Sequence, residues 1–433
     1  MANRKKFFAS LMIFGLCGQV AWTIENMYFN VFMYQMFNAS AEDIARMVAA
    51  SAVSATLTTL LLGALSDKLG KRKVFISGGY LLWGISILAF ALIRVDLISA
   101  WFPMAASASA LCITLVIILD CVMTFFGSTA NDAAFNAWLT DMTDHRDRGK
   151  VEGINAMMPL LSMLAVFGGF MSFDLSREES WTWIFVIIGV VVLIIGVLGR
   201  FLIEEPKLSL EGNQNYFANI VYGFRPSIVR QNPMLYLYLF AFVIFGISIQ
   251  VFMPYLILYY TVTLQMEGYV LIMAPAMVLA AIFSVIWGRQ YDKRGFVFAV
   301  FPSIGLLMIG YLLMYFCRGT ALVFIGSLLV MCGFLAGSAA FGAIVRDRIP
   351  ANRSGMFQGL RIVAQVLIPG VVGPMIGKWI LRNADVVVND DGTSSFIPSA
   401  DIFLGAFVVA LVLTVLLVIL MPYFKKDKLH ETN

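Results

Sequence analysis

Gly63-Ala64-Leu65-Ser66-Asp67-Lys68-Leu69-Gly70-Lys71-Arg72-Lys73 separates two long apolar segments and carries four cations and one acid in its last seven residues. A weaker copy follows at Gly288-Arg289-Gln290-Tyr291-Asp292-Lys293-Arg294-Gly295. Both read G-x-x-x-D-K-x-G, at an offset of 225 residues, about half the chain. A repeat of that length is a whole bundle of helices, so the chain reads as two related halves of a membrane protein.

Composition agrees. Of 433 residues, 60% are hydrophobic and 13% charged, and the mean hydropathy is +0.86. No soluble domain of this length hides so much apolar surface. A span needs about 20 apolar residues to cross roughly 30 Å of hydrocarbon. Alternating strand patterns are absent, so the spans are helices rather than a barrel. Cys17, Cys112, Cys121, Cys317 and Cys332 lie in apolar segments without metal-ligand spacing. They read as small buried hydrophobes. The two histidines, His145 and His430, fall in loops. No cofactor or metal is implied.

Twelve spans are predicted: 7–37, 44–65, 74–95, 108–140, 150–173 and 181–203, then 232–262, 268–288, 296–317, 320–345, 355–381 and 400–424. This divides the chain into an N-terminal half (1–203), a polar linker (204–231) and a C-terminal half (232–433). Glu205-Pro206-Lys207 and Glu211-Gly212-Asn213-Gln214-Asn215 give the linker its chemistry. With the amino terminus inside, inner segments hold 23 of the 30 basic residues. Outer loops are acidic instead, as at Asp174, Glu178, Glu179, Asp385, Asp390 and Asp391. Both termini are thus expected to be cytoplasmic, in the plasma (inner) membrane. A second repeat supports the match of the halves. Ala134-Phe135-Asn136-Ala137 with Asp141 and Gly149 aligns with Ala340-Phe341-Gly342-Ala343, Asp347 and Gly355. Its shorter offset places extra residues of the first half near Ile93 to Cys112.

Twelve spans, two six-span halves and the fit of Gly63, Asp67, Lys68, Gly70, Lys71 and Arg72 to G-x-x-x-D-[RK]-x-G-[RK]-[RK] resemble the major facilitator superfamily. The implied fold is all-α, with twelve transmembrane helices in two pseudo-symmetric six-helix halves. Asn131-Asp132-Ala133-Ala134-Phe135, with Asp141 beyond it and the aromatic run from Met27 to Tyr34, is similar to the glycoside–pentoside–hexuronide:cation symporters. Those relatives often hold a cation with acids on span two and one on span four. Here span two offers Ser51, Ser54, Thr56, Thr58 and Thr59 but no acid, and Asp132 alone matches. The resemblance also implies that the motif residues, with Asp292 in the second copy, latch the halves on the cytoplasmic side. The plainer reading is retention of cations inside. In the loop the glycines are expected to permit a tight turn. Gly370 to Gly377, with Pro374, resembles the Gly-Pro signature of superfamily antiporters but sits on span eleven. There it reads as a packing seam.

Glu25, Asp120, Asp132 and Arg361 lie inside predicted spans. Such a charge costs a few kcal/mol on insertion scales, so it should face a polar cavity or a partner. The plainer alternative is a satisfied buried group that ties helices together. Glu25 lies roughly 27 Å along span one. Trp22, Asn26 and Asn30 are near it in sequence, and its repeat counterpart is Gln250. Tyr34 likewise maps to Tyr259. Polar groups at matching depth in two halves suit a midplane solute site, and sugars stack on rings such as Trp22 while amides bind hydroxyls. Asp132 and Arg361 lie at similar depths and are expected to pair in coupling. Asp120 is about 31 Å from Asp141 along the helix and is expected near the outer surface.

These readings point to a secondary active transporter working by alternating access. Its solute is a small polar molecule, a sugar or glycoside. Its coupling ion is a cation, with the proton preferred to sodium because span-two acids are missing. A drug or lipid exporter of the same superfamily is the alternative, and a non-transporting membrane sensor the alternative from another class. No nucleotide loop, metal set or activated nucleophile marks an enzyme. The expected partners are the solute, the cation and the bilayer, with no nucleic acid, and the expected state is a monomer.

Overall fold

A capping box opens the second helix: Ser40 Oγ accepts the Asp43 N–H (3.2 Å) while Asp43 Oδ2 accepts the Ser40 N–H (3.0 Å). Gly70, at φ 61°, closes the same helix, and its N–H bonds the Asp67 carbonyl. That left-handed position is one that only glycine takes easily. The computed structural model describes residues 4–105, 107–143, 148–205, 222–266, 268–349, 359–388 and 394–429. The predicted features at His145, Arg146, Pro206, Lys207, Glu211–Asn215, Arg353, Gly355, Asp390, Asp391 and His430 lie outside the described residues.

The helices are α1 (Arg4–Phe37), α2 (Ala41–Leu69), α3 (Lys73–Phe90), the short α4 (Val95–Trp101), α5 (Ala108–Asp141), α6 (Arg148–Phe170) and α7 (Glu178–Leu202). After the short α8 (Pro226–Gln231) come α9 (Pro233–Thr263), α10 (Tyr269–Arg294), α11 (Phe296–Phe316), α12 (Thr320–Arg348), α13 (Gly359–Asn383) and α14 (Asp401–Leu429). A two-stranded ribbon, Val386–Val388 with Ser394–Phe396, lies between α13 and α14. Among the described residues, eleven helices are long and apolar enough to cross a membrane, and α6 contributes the shorter apolar stretch Met157–Phe170. Their outward faces are apolar, as along α14 at Val408, Leu411, Val412, Val415, Val418 and Ile419. In lipid such a face carries no penalty, while the backbone is satisfied within each helix. The molecule is an all-α membrane protein.

The chain forms two compact units, Met1–Ala218 with Val388–Ser395, and Asn219–Val387 with Phe396–Asn433. Among the described residues each holds six long helices, and the same pairs meet in each. In the first unit α1 packs on α6 and α7, α2 on α5, and α3 on α7. In the second, α9 packs on α13 and α14, α10 on α12, and α11 on α14. The repeat seen in the motifs is therefore a repeat of packing. The extra residues of the first half form α4 and its flanking loops, where residues 91–107 stand against residues 317–319 in the second. In the second unit the Gly-Pro run of α13 is a packing seam. A Cβ on Gly373 would stand 2.3 Å from that of Gln250, so α13 and α9 approach at backbone distance.

One expectation is corrected. Gly63 does not form a turn: α2 runs on to Leu69, and Gly63 is a helical residue whose bare face meets Ala133 of α5. The polar residues from Ser66 onward extend the helix, because Lys68 and Leu69 still complete backbone bonds and Gly70 is the first residue to break them.

Candidate functional site

Two polar sites stand out in the first unit. The motif end is built around Arg72, the only buried basic residue among those described, at 5% exposure. Its Nη1 donates to Asp67 Oδ1 (2.6 Å) and Ser66 Oγ (2.9 Å), and its Nε to Asp141 Oδ2 (2.8 Å). Burial works against the charge, and the bonds to Asp141 and Asp67 outweigh it, so the guanidinium pKa is raised. Glu205 accepts the backbone N–H groups of Arg72 and Lys73, where α3 begins and carries the positive end of its dipole. Lys6 pairs with Glu204 at 3.3 Å, and the Trp138 indole donates to the Glu204 carbonyl. By contrast, Lys68 and Lys71 are exposed. In the second unit Asp292 is exposed, and Tyr291 donates to Asp347 at 2.6 Å. Asp347 is the repeat counterpart of Asp141, so the second copy keeps the acid and replaces the arginine fork by a phenol. Glu204 and Glu205 were read from the sequence only as the start of the polar linker. Their position at the end of a basic-flanked span was the available signal.

Deeper in the same unit, α1, α2 and α5 bring their polar groups together. Glu25 is 6% exposed. Its Oε1 accepts from Ser51 Oγ (2.6 Å) on α2 and Thr124 Oγ1 (2.9 Å) on α5. The two hydroxyls are 2.9 Å apart. Ser54 Oγ donates to the Cys121 carbonyl, so the small-residue face of α2 lies directly on α5. Asp120 is corrected from the outer surface to the interior. It is 1% exposed, and Thr124, one turn on, bonds Glu25. The reason is that α5 starts at Ala108, so about 18 Å of helix lies beyond Asp120, and Asp120 shares the helix face of Thr124, one turn on.

Asp132 sits in a π-helical stretch of α5, Ser128–Phe135, where it accepts from Ser128 Oγ at 3.0 Å. A π turn adds a residue to the turn and re-aims the side chains around it, and it recurs at functional sites. Neighbouring Asn131 donates to the Tyr80 hydroxyl, which donates to the Phe14 carbonyl. Trp22 is half-buried, its indole nitrogen has no hydrogen-bond partner among the described residues, and its ring lies 4.9 Å from that of Trp83. A Cβ at Gly127 would stand 2.7 Å from Trp83 and 2.9 Å from Trp22, so only glycine admits both indoles there. Asn26 is exposed and donates to the Trp22 carbonyl, and buried Asn30 donates to the Asn26 carbonyl.

Gln250, Tyr259 and Arg361 belong to the second unit. Gln250 is half-buried against Gly373. Tyr259 is fully buried, its hydroxyl donating to the Met314 carbonyl at 3.0 Å and its ring against Phe403. Arg361 Nε donates to Gln365 Oε1 at 3.3 Å. Tyr28, from the aromatic run of α1, packs on Phe167 and Phe170 as core.

Several solved structures share the fold. The nucleoside transporter NupG superposes with a TM-score of 0.67 at 14% identity, over 96% of this chain and 98% of that one. A bacterial homologue of the human lysosomal transporter Spinster gives 0.68 at 14%, over 99% and 97%. The xylose transporter XylE from E. coli gives 0.67 at 14%, over 94% and 96%. At these identities the likeness is one of fold. No match to the chain was found among curated proteins. The family model of the Major Facilitator Superfamily matches residues 11–374. With the G-x-x-x-D-K-x-G repeat and six paired helices in each unit, the chain belongs to the Major Facilitator Superfamily: it is a membrane transporter and not an enzyme.

Proposed function

We propose that the chain is a secondary active transporter that moves a sugar or glycoside together with a monovalent cation. The observation that carries this reading is the polar cluster inside the first unit. Trp22, Asn26 and Asp132, all at least partly exposed, adjoin the buried groups Glu25 and Asn30 within otherwise apolar helices. Carboxylates at that depth are costly unless they face a polar cavity or a partner. An indole beside amide and carboxylate groups suits a solute with an apolar C–H face and hydroxyl edges. Nucleosides and xylose, the solutes in the names of two neighbours, contain or are sugars, which accords with this class. Asp132 is assigned to coupling, and the Asp67–Arg72–Asp141 cluster to the conformational latch. The test is uptake into proteoliposomes against a panel of glycosides, with pH and sodium gradients imposed separately. Accumulation of at least one glycoside under one gradient is expected. Absence of both uptake and counterflow across the panel would refute the solute class.

We also infer that residues 204–231 form a cytoplasmic linker, that both termini are cytoplasmic and that the protein resides in the plasma membrane, on the asymmetry of basic residues. Met104, between α4 and α5, is 95% exposed. A cysteine introduced by Met104→Cys should react with an impermeant maleimide in intact cells. One introduced by Lys68→Cys should react only after permeabilisation. The reverse pattern would invert the topology.

A further inference from the structure

Buried polar atoms normally have partners. In the first unit, Glu25 Oε2 and Asp120 Oδ1 have none, although each residue is more than nine-tenths buried. They flank a shared hydroxyl pair. Ser51 and Thr124 both donate to Glu25 Oε1, and their hydroxyl oxygens are 2.9 Å apart. Asp120 and Thr124 are one helical turn apart on α5, so their side chains leave it on the same face. The carboxyl groups of Glu25 and Asp120 thus adjoin at the junction of α1, α2 and α5, with both hydroxyls turned to Glu25.

Among the described residues of the first unit, no basic side chain acts on the cluster. Arg72, the only buried basic residue among those described, is held by Asp67 and Asp141. The basic residues of α1 and α2 stand at the helix ends: Arg4, Lys5 and Lys6 on one, Arg46 and Lys68 on the other. The other titratable groups that face the pair come from α5. They are Asp132, whose charge reaches Glu25, and Cys121, beside Asp120. None is a cation. Two adjoining buried carboxylates cannot both stay ionised and uncompensated. Either a proton or a small hard cation must join them, and carboxylate and hydroxyl oxygens are the ligands such a cation prefers. The hydroxyls can serve a metal ion through their lone pairs while still donating to Glu25.

We propose that Glu25, Asp120, Ser51 and Thr124 form a site for one monovalent cation, a proton or a sodium ion, held between the two carboxyl groups. The proposal rests on the reading of the chain as a cation-coupled transporter, and it moves the ion from Asp132 to a pair on spans one and four. Span one supplies the acid that span two lacks. Asp132 then acts on the ion through its charge, and remains available to the solute.

The test uses the purified full-length chain in detergent, with choline replacing sodium as the reference. Equilibrium binding of radioactive sodium tests one source. The protonated-carboxyl infrared band, followed through a pH titration in choline, tests the other. Saturable sodium binding that vanishes in both Glu25→Gln and Asp120→Asn identifies a sodium site. Absence of sodium binding, with a protonated-carboxyl band that both replacements remove, identifies a shared proton. Either result supports the site. The proposal is overturned if both signals are absent, or if both survive either replacement. Elution profiles confirm that the variants fold. Should an amide variant fail to fold, Thr124→Val spares both carboxylates and removes one hydrogen bond to a charged group. It should weaken sodium binding at least about tenfold, or shift the carboxyl titration by about one pH unit. An unchanged value there also overturns the proposal. Cation binding is read without solute. Counterflow of glycosides alongside a failed cation test would remove the site and leave the transporter reading. Cation binding without movement of any glycoside would do the opposite.

Discussion

Arg72→Ala is expected to lower the unfolding free energy by about 3 kcal/mol, the low end of the range for breaking a buried ion pair. The low end applies because the Asp67 side chain is 45% exposed and can regain water, whereas that of Asp141 is 17% exposed and cannot do so fully. Arg72 is a fork with bonds to Asp67, Ser66 and Asp141 at 2.6–2.9 Å. A lysine is a point charge on a longer stem and cannot reproduce that fork. Arg72→Lys should therefore recover part of the loss only. Lys71→Ala, one residue away and exposed, should change stability by less than about 0.5 kcal/mol. The measurement is thermal unfolding of the detergent-solubilised chain, followed at matched detergent and salt. Equal effects of Arg72→Ala and Lys71→Ala would mean that the cluster serves topology alone. Stability lost at Arg72 would also release the α2–α3 turn from α5, because Asp141 ends that helix.

Asp132→Asn is expected to abolish accumulation of solute against its gradient while leaving counterflow partly intact. The substitution keeps the size of the side chain and an acceptor for Ser128 Oγ, which lies 3.0 Å away. What it removes is a charge that reaches Glu25 and the ability to take up a proton. A cation held at the Glu25 cluster would be held less tightly, so the ion gradient would lose its grip on the solute. Movement of the transporter between its states does not itself require that charge. Concentrative uptake and counterflow, measured in the same vesicles, separate the two. Retained accumulation in Asp132→Asn would clear Asp132 of coupling and leave Glu25 with Asp120. Loss of counterflow as well would place Asp132 in solute binding.

Much of the architecture was legible in the residues because lipid imposes simple rules. A helix must be apolar for about 20 residues and satisfy its own backbone. The succession of spans, the two halves and the extra segment between spans three and four could thus be read from hydropathy and the repeats. The site was legible in part. Glu25, Asp132, Trp22, Asn26 and Asn30 were singled out by depth and by chemistry, and the structure gathers Glu25 and Asp132 within one unit. Depth along a helix does not say which face a residue takes or how far the helix extends beyond it. That is why Asp120, counted from Asp141, was expected at the surface and is instead beside Glu25.

The sequence by itself determined the class of the protein, its succession of apolar spans and its internal repeat, because these follow from composition and period, summed over many residues. Tertiary structure alone decided which polar residues meet. It separated buried Arg72 from exposed Lys71. It set Ser51 and Thr124, on different helices, on one oxygen of Glu25. It left Glu25 Oε2 and Asp120 Oδ1 without partners. Hydrogen bonds and ion pairs act over about 3 Å, and no periodicity along a single helix encodes the rotation and crossing of its neighbours to that accuracy.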